Sequence, residues 1–160
     1  WDEVLEGGVS TKCVVMSWLK GSVGGQKAAG LGNDVIMTDK YHCYFDCYQT
    51  DTREGELFAH KRNIPLEKVW SYNPIGGMDD ASASHVLGVQ CNTWTEHISS
   101  MDRVYFMNLP RMAALAEVAW STPASLSGYQ DFLQRLQSSL IPIYQAVGWN
   151  FAEFYKKDIK

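Results

Sequence analysis

The stretch "HVLGVQCNTWTEH", His85 to His97, decides how this chain is read. Its first ten residues, His85–Trp94, are apolar and β-branched and predict a strand buried on both faces. The strand stops on an indole, and a carboxylate follows two residues later at Glu96. Two earlier runs have the same character: "CVVMSW" at Cys13–Trp18 and "DVIMT" at Asp34–Thr38. Between them lies a glycine-rich loop and then "QKAAGLG", a short helical turn closed by Gly32. The segment Asp39–Ser84 is mixed polar and aromatic. Its length predicts an irregular binding loop with one short helix at "PLEKVW" from Pro65.

Two helices are predicted after the third strand. One runs from about Met101 to Trp120; "RMAALAEVAW" is apolar on most sides, which fits a buried helix, and Pro110 predicts a kink or restart inside it. The other starts at Ser127, which has capping-box spacing with Gln130. Its apolar residues Tyr129, Phe132, Leu133, Leu136, Leu140, Ile143, Tyr144 and Val147 recur at three and four and predict one buried face. Pro142 is placed to bend this helix and Gly148 to end it. Short buried strands separated by helices and loops give an α/β fold with a parallel sheet.

Composition narrows the classes of function. The chain has 160 residues, 46% hydrophobic and 20% charged, enough for a single core. A net charge of -4 with no basic stripe gives no footprint for nucleic acid. No apolar run approaches the ~20 residues of a membrane span, and no charged-then-apolar leader opens the chain. Trp1, standing where a methionine is usual, reads as a cut end. The four cysteines, Cys13, Cys43, Cys47 and Cys91, lie in or beside apolar runs and are read as buried free thiols. His42 with Cys43 and Cys47 lacks a second ligand pair at zinc spacing, so no metal is expected, and no cofactor either. "GSVGGQKAAG" (Gly21 to Gly30) has the setting of a phosphate loop but not its ending, because Lys27 is followed by alanine. His42, His60, His85 and His97 are scattered, none pairs with a Ser or Cys in a recognisable nucleophile context, and His97 is read as structural. Arg111 and Glu117, six apart, are read as separate structural anchors.

In parallel sheets, reactive groups gather where strands end in loops. The chain opens with Trp1, Asp2 and Glu3, the first apolar run ends on Trp18, "YFD" after the second gives Tyr44 and Asp46, and the third gives Trp94 and Glu96. Indole faces suit sugar C–H groups, and carboxylates accept sugar hydroxyls. The residues therefore favour a carbohydrate site.

The segments "WDEVLEGG", "VVMSW", "GNDVIMT", "YHCYFDCYQ", "VLGVQCNTWTEH" and "YFMNLPRMAALAEVAWS" resemble, in order, the glycoside hydrolase family 20 β-N-acetylhexosaminidases. The resemblance implies a TIM (β/α)8 barrel, of which residues 1–160 would be the C-terminal half, about strands five to eight with the last helices. It implies hydrolysis of terminal non-reducing β-linked N-acetylglucosamine or N-acetylgalactosamine by retaining, substrate-assisted catalysis, in which the substrate's acetamido oxygen is the nucleophile. Trp1, Trp18 and Trp94 would wall the acetamido pocket, Tyr44 would orient the acetamido oxygen, and Asp46 and Glu96 would bind hydroxyls.

One departure bears on activity. The family's adjacent Asp-Glu dyad, orienting group and general acid, ends the fourth strand, whereas Asp2-Glu3 lies in a context resembling the fifth-strand motif, where the acids are structural. The resemblance thus implies an active parent and an inactive isolated chain, since protonation of the leaving oxygen is worth roughly 10²–10⁴-fold. It also implies a partner, either the missing N-terminal barrel half or another copy, because half a barrel leaves open strand edges. An extracellular or periplasmic glycan is the implied substrate. The alternative reading is a non-catalytic carbohydrate-binding or scaffold module.

Overall fold

The computed structural model describes residues 1–19, 22–122, 125–126 and 128–159. It divides into two compact units, residues 1–43 with 73–91, and residues 44–72 with 92–160.

The first unit is a three-stranded parallel sheet with helices. Strand β1 (Val15–Ser17) leads through helix α1 (Val23–Gly30) to β2 (Val35–Met37), the central strand. The register is Val15↔Val35, Met16↔Ile36 and Ser17↔Met37. The two-residue strand β3 (Cys47–Tyr48), β4 (His60–Asn63) and α2 (Leu66–Trp70) belong to the second unit. Helix α3 (Asp80–Ala83) and β5 (Val86–Val89) return to the first, where β5 joins the other side of β2. Val15, Val35, Met37, Ala28 and Ala29 form the buried seam between sheet and α1, as expected where a crossover helix covers parallel strands.

The glycines before Lys27 have a packing reason, not a phosphate-binding one. A Cβ on Gly25 would stand 2.4 Å from Met37 Sδ and 3.0 Å from Ser17 Cβ, so only glycine lets α1 lie this close to β1 and β2. Gly25 N–H also donates to Ser17 Oγ at 2.7 Å. Gly25→Ala is expected to destabilise the protein by about 1–3 kcal/mol, the usual cost of overfilling a packed contact. A lower urea midpoint at unchanged m-value checks it.

The third strand is shorter and less buried than its sequence predicts. Its pairing runs Val35↔Val86 and then Ile36↔Gly88, so Leu87 is an extra residue in a bulge and is exposed. Gly88, at φ 154, supplies the backbone geometry the bulge requires. At the start of the chain Asp2–Glu6 form a 3-10 turn with Trp1 as its N-cap. Among the described residues the parallel sheet of this unit therefore has three strands, with β1 and β5 at its edges.

The second unit corrects the expectation of an irregular loop over Asp39–Ser84. Residues 43–50 are all buried, β3 and β4 pair in parallel, and α2 and α3 lie in the same stretch. Polar letters concealed this because their partners are internal. Glu56 accepts from Gln49 N, Thr50 N and Thr50 Oγ1 at 2.8–3.0 Å, and Gln49 Nε2 donates to Phe106 O. Buried polar groups persist when each has such a partner.

Helix α4 (Met101–Asn108) is capped by Ser100 Oγ, which accepts from Arg103 N, and α5 (Arg111–Trp120) restarts with Pro110 as N-cap. The expected restart is present. The expectation that α5 is buried on most sides is not met: Arg111, Ala114, Leu115 and Val118 are inside, while Met112 is half exposed and Trp120 is 92% exposed. Arg111 is fully buried and donates to the carbonyls of Met107, Cys47, Ile64 and Phe45, tying α5 to β3 and to the residue after β4. Glu117 has a different role, since it binds Arg135 through both carboxylate oxygens.

The last helix is divided. Helix α6 (Tyr129–Arg135) has Gly128 as N-cap, and the predicted cap Ser127 lies outside the described residues. A π-helical turn over Leu136–Leu140 then leads into α7 (Ile141–Ala146), and Phe154–Asp158 is a closing 3-10 turn. The π turn inserts one residue, so the buried face jumps from Leu136 to Ile141 and Tyr144. Ile143 and Val147, read as buried from strict helical spacing, are exposed for that reason.

All four cysteines are free, and Cys43 and Cys47 are buried as expected; Cys13 is exposed and Cys91 half-buried, because both lie just outside the strands proper. No helix among the described residues is long and apolar enough to cross a membrane.

Candidate functional site

In the first unit, Ser17 ends β1 and delivers Trp18 directly after it. The Trp18 ring meets Trp1 edge-on, centroids 6.0 Å apart at 64°. Asp2 is buried and fixes this corner: it accepts from Ser17 Oγ, Trp18 N and Leu19 N at 3.2–3.3 Å. Glu3 accepts from the Trp18 indole N–H, 3.1 Å to each carboxylate oxygen. A backbone N–H, then this indole, holds Glu3 below its ordinary pKa. Lys40 Nζ stands 5.3 Å from the Trp18 ring centre, a cation–π arrangement. Trp1 is 46% exposed. The result is a braced indole pair, with Trp1 exposed and Trp18 half-buried.

The second unit gathers the other four predicted site residues. Tyr44, buried, forms a parallel β-bridge with Asn92, and Phe45 N donates to Asn92 O at 2.7 Å. That bridge places the residues after β5 beside "YFD". Burial raises the pKa of the Tyr44 hydroxyl, and the neighbouring Asn92 and Trp94 side chains, as donors toward it, oppose the rise. The phenol is therefore a protonated donor at neutral pH.

Asp46, two residues on, is 5% exposed. Its Oδ2 lies 3.5 Å from His60 Nε2, and its Oδ1 is buried with no hydrogen-bond partner. Burial raises its pKa most, and the nearby Glu96 charge adds to the rise, while a backbone hydrogen bond, His60 and Arg111 pull it down. A buried carboxylate oxygen without a donor costs about 1–3 kcal/mol, unless a ligand hydroxyl supplies one. Trp94 and Glu96 are exposed.

Sequence reasoning passed over three contributors: Asn92, the bridge partner of Tyr44; His60, facing Asp46; and Arg62, whose charge lies near enough to Tyr44 and Cys47 to favour their ionised forms. Asn92 lay inside the quoted stretch, and its position between two strand-end groups was a usable signal; His60 and Arg62 had none. Arg111, read as an anchor, also holds the carbonyls of Phe45 and Cys47 on either side of Asp46. Among the described residues no group of three or more His, Cys, Asp or Glu is arranged to hold a metal ion.

Residues 1–123 match the model of the glycosyl hydrolase family 20 catalytic domain. The chain belongs to glycosyl hydrolase family 20.

This family 20 chain is 39% identical to a β-hexosaminidase of Porphyromonas gingivalis over 143 residues, 88% of the chain and 18% of that protein. It is 30% identical to a β-N-acetylhexosaminidase of Cellulomonas fimi over 125 residues, 78% of the chain and 24% of that protein. The family 20 exo-β-N-acetylglucosaminidase of Vibrio harveyi superimposes at TM-score 0.84 and 29% identity, over 96% of this chain and 24% of that one. The same enzyme in complex with N-acetylglucosamine gives 0.80 over 91% and 22%. The family 20 chain thus spans 18–24% of the length of these curated relatives.

Proposed function

We propose that these residues are the C-terminal part, about strands five to eight, of the TIM-barrel catalytic domain of a β-N-acetylhexosaminidase. The parent removes terminal non-reducing β-linked N-acetylglucosamine or N-acetylgalactosamine by retaining, substrate-assisted catalysis. The observation that carries this reading is the buried Tyr44, bridged by its backbone to Asn92 and set beside Trp94, with Asp46 two residues on, whose buried Oδ1 has no donor.

The chemistry follows from those atoms. The Tyr44 oxygen accepts the Trp94 indole proton, and the phenol offers its own proton to the substrate's acetamido oxygen. That oxygen, held at the anomeric carbon, attacks as the leaving group departs, and the indole fixes the tyrosine so that little orientation entropy is lost at the barrier. Asp46 Oδ1 takes a sugar hydroxyl and regains the hydrogen bond it lacks. Glu96 takes another. The Trp1–Trp18 pair of the first unit is, taken by itself, an aromatic surface of the kind a sugar face packs on. Asp2 and Glu3, already engaged by Ser17, the Trp18 and Leu19 backbone and the Trp18 indole, are structural acids in this reading. The general acid and its aspartate partner come from residues outside this chain.

The remaining half of the barrel, or another copy, is the proposed cover for the outer edges of β1 and β5. Extracellular or periplasmic glycans are the proposed targets.

Acetamido dependence tests the reading. A longer polypeptide carrying these residues is expected to hydrolyse 4-nitrophenyl N-acetyl-β-glucosaminide, and to leave 4-nitrophenyl β-glucoside, which lacks the internal nucleophile, essentially uncleaved. Comparable rates on both would rule out substrate assistance.

A further inference from the structure

We infer that Cys43 and Cys91 are a disulfide-forming pair, a cross-link between the backbones that carry Tyr44 and Asn92; the inference does not depend on the hexosaminidase reading. It starts from the register. Tyr44 and Asn92 form a parallel β-bridge, and Phe45 N donates to Asn92 O at 2.7 Å. Cys43 and Cys91 each stand one residue before a bridge partner. Neighbouring parallel backbones run about 4.8 Å apart, inside the window of roughly 4.4–6.8 Å between Cα atoms that a disulfide spans. Successive side chains along extended backbone point to opposite faces. The Tyr44 and Asn92 side chains meet on one face, since Asn92 donates toward the phenol, so the two cysteines share the other. The sulfurs are close enough for charge on Cys91 to push the Cys43 thiol up. Cys13 lies at the other end of this sheet, because it precedes β1 while Cys43 and Cys91 follow β2 and β5, and all three strands run parallel.

The two thiols differ in a way that sets the order of reaction. Cys43 is 0% exposed, and burial first, then the Asp39 charge, holds its thiol well above the ordinary cysteine pKa. A thiol kept protonated is a poor first nucleophile. Cys91 is half-buried and takes that role. The oxidant is a small disulfide such as oxidised glutathione. The Cys91 thiolate attacks one of its sulfurs, the S–S bond breaks, and one glutathione thiolate leaves. Cys43 then gives up its proton and its sulfur attacks the Cys91 sulfur, forming the Cys43–Cys91 bond and expelling the second glutathione thiolate. Two protein thiols lose two electrons, and one small disulfide gains them as two thiols. The bond closes the chain from 43 to 91, which contains β3, β4, α2, α3 and β5. A disulfide stabilises chiefly by restricting the unfolded chain, more so for long loops. Here it also fastens the backbone next to Tyr44.

The test uses the longer polypeptide, incubated with oxidised glutathione, blocked with iodoacetamide without reduction, and digested with trypsin. Cleavage after Lys40, Arg53, Lys68 and Arg103 places Cys43 and Cys47 in peptide 41–53 and Cys91 in peptide 69–103. The two peptides are expected to be joined, with fragment ions that break between Cys43 and Cys47 assigning the bond to Cys43, and to separate after dithiothreitol. Dithiothreitol is also expected to lower the Tm of the oxidised protein by about 3–10 °C, the scale of one disulfide closing a long loop. Cys91→Ala is expected to lose that response. Recovery of 41–53 and 69–103 only as unlinked, alkylated peptides would overturn the pair, as would a bond assigned to Cys47. A Cys91→Ala protein whose Tm falls on reduction as far as that of the unaltered one would overturn the bracing role.

Discussion

The purified 160-residue chain is expected to release no measurable N-acetylglucosamine from methyl N-acetyl-β-glucosaminide, under conditions in which a longer polypeptide containing it turns over. The reason is an inventory of protons. Cleavage needs an acid beside the leaving oxygen, and the only adjacent Asp-Glu pair in the sequence is Asp2-Glu3. Asp2 is committed to one hydroxyl and two backbone N–H groups, and Glu3 binds an indole and is held below its ordinary pKa. A carboxylate stabilised in its charged form is a poor general acid near neutral pH. Loss of the acid alone is worth about 10²–10⁴-fold, and loss of the group orienting the acetamido nitrogen multiplies it. Turnover by the isolated chain, surviving repurification and abolished by Glu3→Gln, would show that this assignment of the acids is wrong.

Tyr44→Phe in the longer polypeptide is expected to lower kcat for the same substrate by about 10²–10³-fold, the usual effect of removing one preorganised donor at a reacting oxygen. The fall should be in kcat more than in KM, because the bond to the acetamido oxygen matters most as charge shifts from that oxygen during attack. Folding should be little affected. The phenyl ring keeps the burial of Tyr44, and the β-bridge to Asn92 is a backbone contact. The Trp94 N–H loses its acceptor, but Trp94 is 44% exposed, so the cost in stability is small. A change in KM alone, with kcat intact, would make Tyr44 a ground-state binding residue and count against its role in orienting the nucleophile.

How far the sequence carried can be judged from particular residues. Val15, Val35 and Met37 were legible as buried strands because a parallel strand covered on both faces must be apolar at nearly every position. Tyr44, Asp46, Trp94 and Glu96 were legible as one group because indole, phenol and carboxylates recur at the ends of apolar runs. Residues 43–50 were legible only as part of an irregular segment; their burial and β3 were not, because Arg111 satisfies their carbonyls from a distant helix and Glu56 folds back onto Gln49 and Thr50. Ile143 and Val147 were misread because one inserted residue in a π turn rotates everything after it, and no propensity marks that turn.

By itself, then, the sequence determined the α/β class, the strands of the parallel sheet and the types of side chain delivered near their ends, all of which depend on local pattern. Only the tertiary structure decided that the Trp94 side chain stands beside the Tyr44 hydroxyl, that Asp46 keeps an unsatisfied oxygen, that His60 faces that acid, and that an exposed Phe58 leans on His97. Those facts depend on which distant residues share a few ångströms of space, and neither periodicity nor composition encodes that.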